Sequence, residues 1–322
     1  MMQKQIFKYG DADFARFEEA LGGGAIPGDF FHCGVLVYNG EKPLAKASLY
    51  YNPAIHYVDD ATAMVGSYRA EEDGEAVKLL FDTLQTEARS LGVHGLIGPM
   101  DGSTWENYRF HDNADLPLFL METQHPAYYV QQWKENGFEA IAHYYSSKTN
   151  RLDFVSEEVD AIRTNLESRG ISIRPIDLDN YEQELVRLHP FLLTGFESNF
   201  LYSPISLSSF LEKYLPLRPY LYAPFVLMAE DEGEVVGVFF CVQDFLDEVQ
   251  KTLIIKTIAR HPSARYRGLG HVMAAQIYAS AREMGFTQII HAFLKSDGTS
   301  TPISQHFFAE PFKTYSLYGK SI

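Results

Sequence analysis

Arg265-Tyr266-Arg267-Gly268-Leu269-Gly270 is a short glycine turn set among cations, and its residue types suit the capture of an anion. Between Val249 and Arg282 the chain has no Asp or Glu, yet it carries Lys251, Lys256, Arg260, Arg265, Arg267 and Arg282 there. An even spread of the 42 acids would place roughly four in that window, in a chain of net charge -15. Glycine lets the backbone approach an oxyanion closely, and guanidinium groups match phosphate oxygens. Lys256, Arg260 and His271 extend the positive field. The turn separates an apolar strand, Leu253 to Ala259, from a helix predicted over Leu269 to Met284 and stopped by Gly285. Such a junction holds phosphates through backbone N–H groups and a helix N-terminus. A dinucleotide-binding turn would need a third small residue where Met273 stands, and an acid about 20 residues on. After Glu283 the next acid is Asp297.

The elements around this turn occur twice. In the second half, Ile171 to Ile176 reads as a strand, Tyr181 to Leu193 and Ser206 to Leu215 as helices, and Phe225 to Ala229 and Val235 to Val242 as a hairpin across Glu230 to Glu234. Gln288 to Leu294 and Lys313 to Tyr318 complete that sheet. In the first half, a helix around Asp13 to Leu21 precedes strands Cys33 to Tyr38 and Ala45 to Tyr51, joined by a hairpin signal at Asn39-Gly40. Ala61 to Tyr68 is a third strand, Gly74 to Leu91 an amphipathic helix stopped by Gly92, and Val93 to Ile97 a further strand. An aromatic excursion, Gly98 to Leu118, leads to a helix over Ala127 to Asn136 and a closing strand at Ala140 to Ser146. Glu87-Ala88-Arg89-Ser90-Leu91-Gly92-Val93 aligns with Ser280-Ala281-Arg282-Glu283-Met284-Gly285-Phe286. In that register Glu72, Glu75 and Val77 stand where the second copy has Arg265, Gly268 and Gly270.

Length and composition narrow the function. At 322 residues and 46% hydrophobic, the chain is long enough for two cores. The acidic balance argues against sequence-independent nucleic-acid binding, which needs a broad basic surface. Cys33 and Cys241 fall in different halves, so a disulfide framework is not expected and a reducing cytoplasm is. No metal-ligand cluster is visible in the sequence. Met1 to Ala15 lacks the apolar core of a signal peptide, and no apolar run reaches membrane-spanning length.

On Arg265, Gly268 and Gly270, placed between a strand and a helix, residues 171–322 resemble the GNAT superfamily of acyl-CoA-dependent N-acetyltransferases, whose signature is R/Q-x-x-G-x-G/A. The first half resembles it in element order and in its closing Gly137-Phe138, with Trp133 at the family's Tyr position. The resemblance implies an α/β fold of α+β type: two tandem GNAT-like domains, each a mixed, mostly antiparallel sheet flanked by helices. Their expected extents are 1–153 and 171–322, joined by a connecting helix over 154–170. It further implies that the turn holds the pyrophosphate of coenzyme A and that Thr257-Ile258-Ala259 runs beside the pantetheine arm. The cofactor-binding residues expected for acetyl-CoA are Ile258, Ala259, Arg260, Arg265, Tyr266, Arg267, Gly268, Leu269, Gly270 and His271. Glu71, Glu72, Asp73 and Glu75 would repel a pyrophosphate from the first copy, which is expected to be structural.

The expected activity is acetyl transfer from acetyl-CoA to a small-molecule or peptide amine by direct attack, with no nucleic-acid or membrane partner. The alternatives are a non-catalytic acyl-CoA-binding or sensing protein, and a scaffold without cofactor. Catalytic residues stay unassigned. Ser304 matches the family's last helix, but Thr301 takes the Asn position and Phe307 or Phe308 the place of the Tyr that protonates the leaving thiolate. Tyr315, Tyr318 and His306 are the remaining proton donors, and Glu197, Asp244 and His261 the candidate bases. Gly98 to Arg109 and His125 to Tyr129 are read as pocket walls or as anchors. Acceptor specificity is assigned to Leu193 to Ser209, the domain interface and the aromatic excursions, with the acidic surface steering a cationic amine.

Overall fold

A computed structural model describes residues 2–58, 60–113, 115–298 and 301–322. The first half contains β1 (Met2–Phe7), α1 (Phe14–Glu19), β2 (Phe31–Asn39), β3 (Lys42–Tyr50), β4 (His56–Tyr57), β5 (Asp60–Ala70), α2 (Gly74–Ser90), β6 (Gly95–Gly98), β7 (Phe110–His111), α3 (Tyr128–Glu135) and β8 (Glu139–Thr149). Helix α4 (Glu157–Ser168) leads to β9 (Ser172–Pro175), α5 (Tyr181–Phe196), α6 (Leu207–Tyr214), β10 (Val226–Asp231), β11 (Glu234–Gln243), β12 (Thr252–Arg260), α7 (Leu269–Glu283), β13 (Gln288–Lys295), α8 (Thr301–His306) and β14 (Glu310–Ser321). No helix among the described residues is long and apolar enough to cross a membrane.

Local sequence accounts for most of these elements. Helix α2 buries Ala76, Val77, Leu80, Phe81, Leu84 and Ala88, its predicted apolar stripe, and Gly92 follows at φ 75°. Helix α7 buries Leu269, Val272, Met273, Ile277 and Tyr278, and Gly285 follows at φ 76°. Glycine takes these left-handed ends without the steric cost of a Cβ. The second hairpin is tighter than the sequence reading. Asp231 pairs with Glu234, leaving only Glu232 (φ 52°) and Gly233 (φ 86°) as the turn. Its acids read as loop residues because their partners are distant: Glu230 is bound by Arg174 at 2.6 Å and Arg187 at 2.8 Å. Strand β1 carries no apolar strand signal in the sequence, because only Phe7 of its six residues is buried. As an edge strand on β2 it needs little apolar content.

The α/β, mostly antiparallel architecture is as expected, except that the two expected sheets are one. Its order is β1-β2-β3-β5-β6-β14-β8-β13-β12-β11-β10-β9, with β4 on β5 and β7 on β14. The closing strands cross over: β8 from the first half pairs with β13, and β14 from the second pairs with β6. They also pair with each other, Tyr315 opposite Tyr144. Neither half therefore presents an open edge at the junction. The cores mix as well, since Phe119 packs with the second-half cluster around Phe210, and Leu201 with the first-half cluster around Tyr50.

The parallel pairs β5–β6 and β12–β13 lie in corresponding places, and they end differently. Strands β12 and β13 pair from Thr252 opposite Gln288 to Ile255 opposite His291 and then separate. Beyond that point β12 stays on β11 to Arg260, while β13 shifts register near Phe293 (φ 60°) and continues on β8. An open wedge results. In the first half the corresponding wedge is filled by the chain itself, with the Met100 N–H donating to the Val65 carbonyl at 2.9 Å and the Ser67 N–H to Asp101 Oδ1 at 2.6 Å. A Cβ at Gly66 would lie 2.2 Å from Asp101 Oδ1, so this filling requires glycine there.

Burial pushes the Asp101 carboxyl up to about 6 against hydrogen bonds from Ser67 that lower it. Between about pH 4 and about pH 6 the native state holds a proton that the unfolded chain has lost, and the contribution of this carboxyl to the unfolding free energy should fall as pH rises through that range and then level off. The fall is on the order of 2 kcal/mol. Asp101→Asn is expected to flatten it, checked by urea midpoints of both proteins at pH 4.5 and 7; parallel pH profiles would refute the assignment.

Candidate functional site

The second-half turn is built by short-range hydrogen bonds. Arg260 donates to the carbonyls of His261 (2.7 Å) and Ser263 (3.2 Å), and Ser263 Oγ accepts from the Arg265 N–H at 3.2 Å. Gly268 at φ 87° then opens α7, and no side chain caps the helix. The Leu269 and Gly270 N–H groups precede the first intrahelical bonds, in which the His271 and Val272 N–H groups donate to the Gly268 carbonyl at 3.0 and 3.2 Å. Helix α2 contrasts with this: Asp73 occupies its N-terminus and accepts from the Ala76 N–H at 3.0 Å. A carboxylate of the chain thus fills, in the first copy, the place an anion would take.

Arg265 does not face that opening. Its Nε and Nη2 donate to Asp231 at 2.6 and 3.1 Å, and Tyr266 donates its hydroxyl to the same carboxylate at 2.8 Å. Arg265, and then Tyr266, hold Asp231 below the usual carboxylate range. Arg265 therefore ties the turn to the end of β10, whereas Arg267 is exposed and has no ion-pair partner among the described residues. Lys256 lies on the opposite side, 3.1 Å from the Tyr214 hydroxyl. The acid-free window of the sequence is not acid-free in space, because Asp231 meets Arg265 and Glu158 of α4 acts on His271. Burial, then His306, lowers the His271 pKa against that effect. A Cβ on Gly268 would lie 2.7 Å from Ile162 of α4, and one on Gly270 3.0 Å from Ile303.

On the other side of the sheet the wedge opens into a cavity of about 840 Å³. Its walls are Ile255 to Ile258 of β12, Ala292 to Lys295 of β13, the loop after α5, and Trp105, Tyr108 and Arg109 from the first half. The excursion thus both anchors and walls: Gly98 to Asp101 fills the first wedge and Trp105 to Arg109 lines the cavity beside the second. His125 is an anchor, stacked on His111 with ring centroids 3.9 Å apart and accepting its N–H.

The proton-transfer candidates scatter. Tyr315 lines the cavity, but its hydroxyl donates to Glu122 at 2.6 Å, and burial, then Glu122, raises its pKa further. Tyr318 is packed in the first-half core near Trp133, and His306 sits against His271 and Phe154 beside α7. Asp244 is buried and binds the N–H groups of Leu120 and Leu246, while His261 accepts the Ser263 N–H within the turn. Glu197 is exposed at the end of α5, next to Phe196 and Ser198 of the cavity wall. Phe307 packs on Tyr278, whose hydroxyl lies 2.8 Å from His291 Nε2 at the root of the wedge. Burial lowers His291 to about 4, which leaves it neutral. The Thr301 side chain lies outside the described residues. The fold also gathers His32, Cys33 and Glu87 within 4.8 Å, a cluster not visible in the sequence. Burial raises the Cys33 thiol to about 12 and Lys8 Nζ lies 3.4 Å from His32, so the group is poorly suited to a metal ion.

Comparisons with known proteins bear on the family and the fold. Residues 196–310 match the family model described as Acetyltransferase (GNAT) family. No curated protein matches the sequence. Among solved structures, the fold is similar to a glucosamine N-acetyltransferase region of a fungal multi-domain GH3 β-N-acetylglucosaminidase, with TM-score 0.58 and 12% identity over 99% of this chain. The chain spans 38% of the length of that protein. A tandem GNAT protein from the clavulanic acid biosynthesis pathway has TM-score 0.55 and 10% identity, covering 100% of this chain and 98% of its own. A GCN5-related N-acetyltransferase from Sphaerobacter thermophilus has TM-score 0.53 and 11% identity, covering 96% and 84%. At these identities the likeness establishes the fold.

Proposed function

The chain carries a GNAT-family acetyltransferase domain at residues 196–310 within a tandem GNAT-like fold, and from that premise we propose that it moves an acetyl group from acetyl-CoA to an amine, using the second half only. The observation that carries this reading is the difference between the copies: an open wedge and an uncapped α7 in one, a filled wedge and an Asp73-capped α2 in the other. We place the two units at 1–153 and 171–322, with 154–170 between them, and the protein in the cytoplasm.

Acetyl-CoA would supply the acetyl thioester. The N–H groups at Gly268, Leu269 and Gly270 would hold the pyrophosphate together with the exposed Arg267, helped by the positive end of α7. Arg260 and Arg265 act indirectly, fixing the turn through His261, Ser263 and Asp231. Tyr266 supports that arrangement, and His271 flanks it. The β12 edge at Ile258 and Ala259, free of β13 beyond Ile255, would lie beside the pantetheine arm. The acceptor would enter from the cavity, whose lining includes Thr257 of β12 and Phe293 of β13 beyond the point where the two strands part. Glu197, exposed and next in sequence to Phe196 and Ser198 of the cavity wall, would take the amine proton through water.

One observation favours a binding or sensing role instead: Phe307 and Phe308 carry no hydroxyl, and the Tyr315 hydroxyl is bound to Glu122. Turnover decides. The protein is expected to release free coenzyme A thiol from acetyl-CoA with an amine library and to yield acetylated product detectable by mass spectrometry. Binding of acetyl-CoA without turnover on any amine would select the sensing role, and no binding at all would leave a scaffold.

A further inference from the structure

We propose that the acceptor is an amine bearing a carboxylate, and that Arg109 of the first half binds that carboxylate. This rests on the acetyl-transfer reading above and names the substrate class for the same cleft. Arg109 stands at φ 69°, its N–H donating to the Pro99 carbonyl at 2.8 Å, so the backbone of the excursion aims its side chain. The guanidinium carbon lies 4.1 Å from the ring centre of Tyr108, 4.2 Å from Phe293, 4.7 Å from Tyr144 and 5.8 Å from Tyr315. Aromatic faces hold a cation without using up its N–H donors. The one side-chain hydrogen bond Arg109 makes among the described residues is from Nη1 to the Tyr108 hydroxyl at 3.0 Å.

The carboxylates of the cavity are already matched. Glu106 is paired with Lys213 at 2.7 Å, Glu122 with Lys313 at 2.6 Å, and Asp297 with Lys295. Among the described residues no carboxylate pairs with Arg109 or with Lys256. A chain of net charge -15 has thus kept two cations without a carboxylate partner among the described residues in the wall of this cleft. A planar fork with free donors suits a carboxylate, which two parallel N–H groups can bind at once. Phe293 stands where β13 turns away from β12, so Arg109 lies one ring away from the wedge mouth. A bound carboxylate would therefore sit a short carbon chain away from an amine directed at the wedge. This reverses the expectation of a cationic acceptor drawn from overall charge.

Amino acids from glycine to 5-aminovalerate, each against its carboxamide, test the proposal as acetyl-CoA-dependent turnover. The readout is the ratio of kcat/KM within each pair, compared between wild type and Arg109→Gln, which cancels the amine's own basicity. The carboxylate should be preferred in wild type for at least one chain length, mainly through KM. That preference should drop about tenfold or more in Arg109→Gln, as expected for a lost charge-assisted pair. Arg109→Lys, which keeps charge but not the fork, should fall between. An equal ratio in wild type and Arg109→Gln overturns the subsite and leaves acetyl transfer standing. Trp105 lines the cavity while Trp133, the other tryptophan, is fully buried in the first-half core, so fluorescence reports occupancy without acetyl-CoA. An emission change with 5-aminovalerate that Arg109→Gln abolishes, without any turnover, supports the subsite and refutes acetyl transfer. No emission change in wild type, together with no preference in turnover, overturns the subsite.

Discussion

Glu122→Ala is expected to lower the unfolding free energy by about 3–5 kcal/mol, the cost of leaving a buried charge without its partner. The side chains of Glu122 and Lys313 are each 1% exposed and meet at 2.6 Å. Glu122 also accepts from the Phe119 N–H at 2.9 Å and the Tyr315 hydroxyl at 2.6 Å, and Lys313 donates to the Pro117 carbonyl at 2.6 Å. Removing the carboxylate leaves the almost wholly buried ammonium with the Pro117 carbonyl alone and takes an acceptor from the Phe119 N–H and the Tyr315 hydroxyl. The group joins the first-half excursion to β14, so it fastens the cavity wall as well as the sheet. Guanidinium denaturation of Glu122→Ala, Lys313→Met and the Glu122→Met/Lys313→Met pair measures the effect. The double variant should recover much of the single-variant loss, and a Glu122→Ala loss under about 1 kcal/mol would contradict this account of the pair.

Arg267→Glu is expected to weaken acetyl-CoA binding by about tenfold to a hundredfold, since it replaces an attractive charge beside the pyrophosphate with a repulsive one. Binding in wild type should also weaken with salt, and less so in the variant. Arg267 is the informative position because it is exposed and has no ion-pair partner among the described residues, so its replacement should leave stability unchanged. Substitutions at Gly268 and Gly270 would confuse affinity with packing, given the approach of Ile162 and Ile303. Arg265→Ala is a different perturbation, because it releases Asp231 and frees the turn from β10.

The contrast between these arginines marks how far sequence reading reached. The glycine turn, the helices on either side of each parallel strand pair, and the degenerate first copy were legible because they rest on local spacing and composition. Asp73 reads in the sequence as one of four acids near a helix start, and the structure adds that it caps the Ala76 N–H. Asp231 and Glu158 were invisible as neighbours of the turn, since a gap in the linear order of acids says nothing about β10 or α4 folding back on it. The exchange of β8 and β14 was equally hidden, because both strands have the same alternation whichever half they join. Arg109 was one cation in an aromatic loop until the fold set it among rings from β8, β13 and β14.

Calorimetric titration of the whole chain with acetyl-CoA tests the central claim most directly, because the two copies offer two places for it. One site per chain, weakened in Arg267→Glu, is the predicted result. Two sites, or one that Arg267→Glu leaves unchanged, would contradict it.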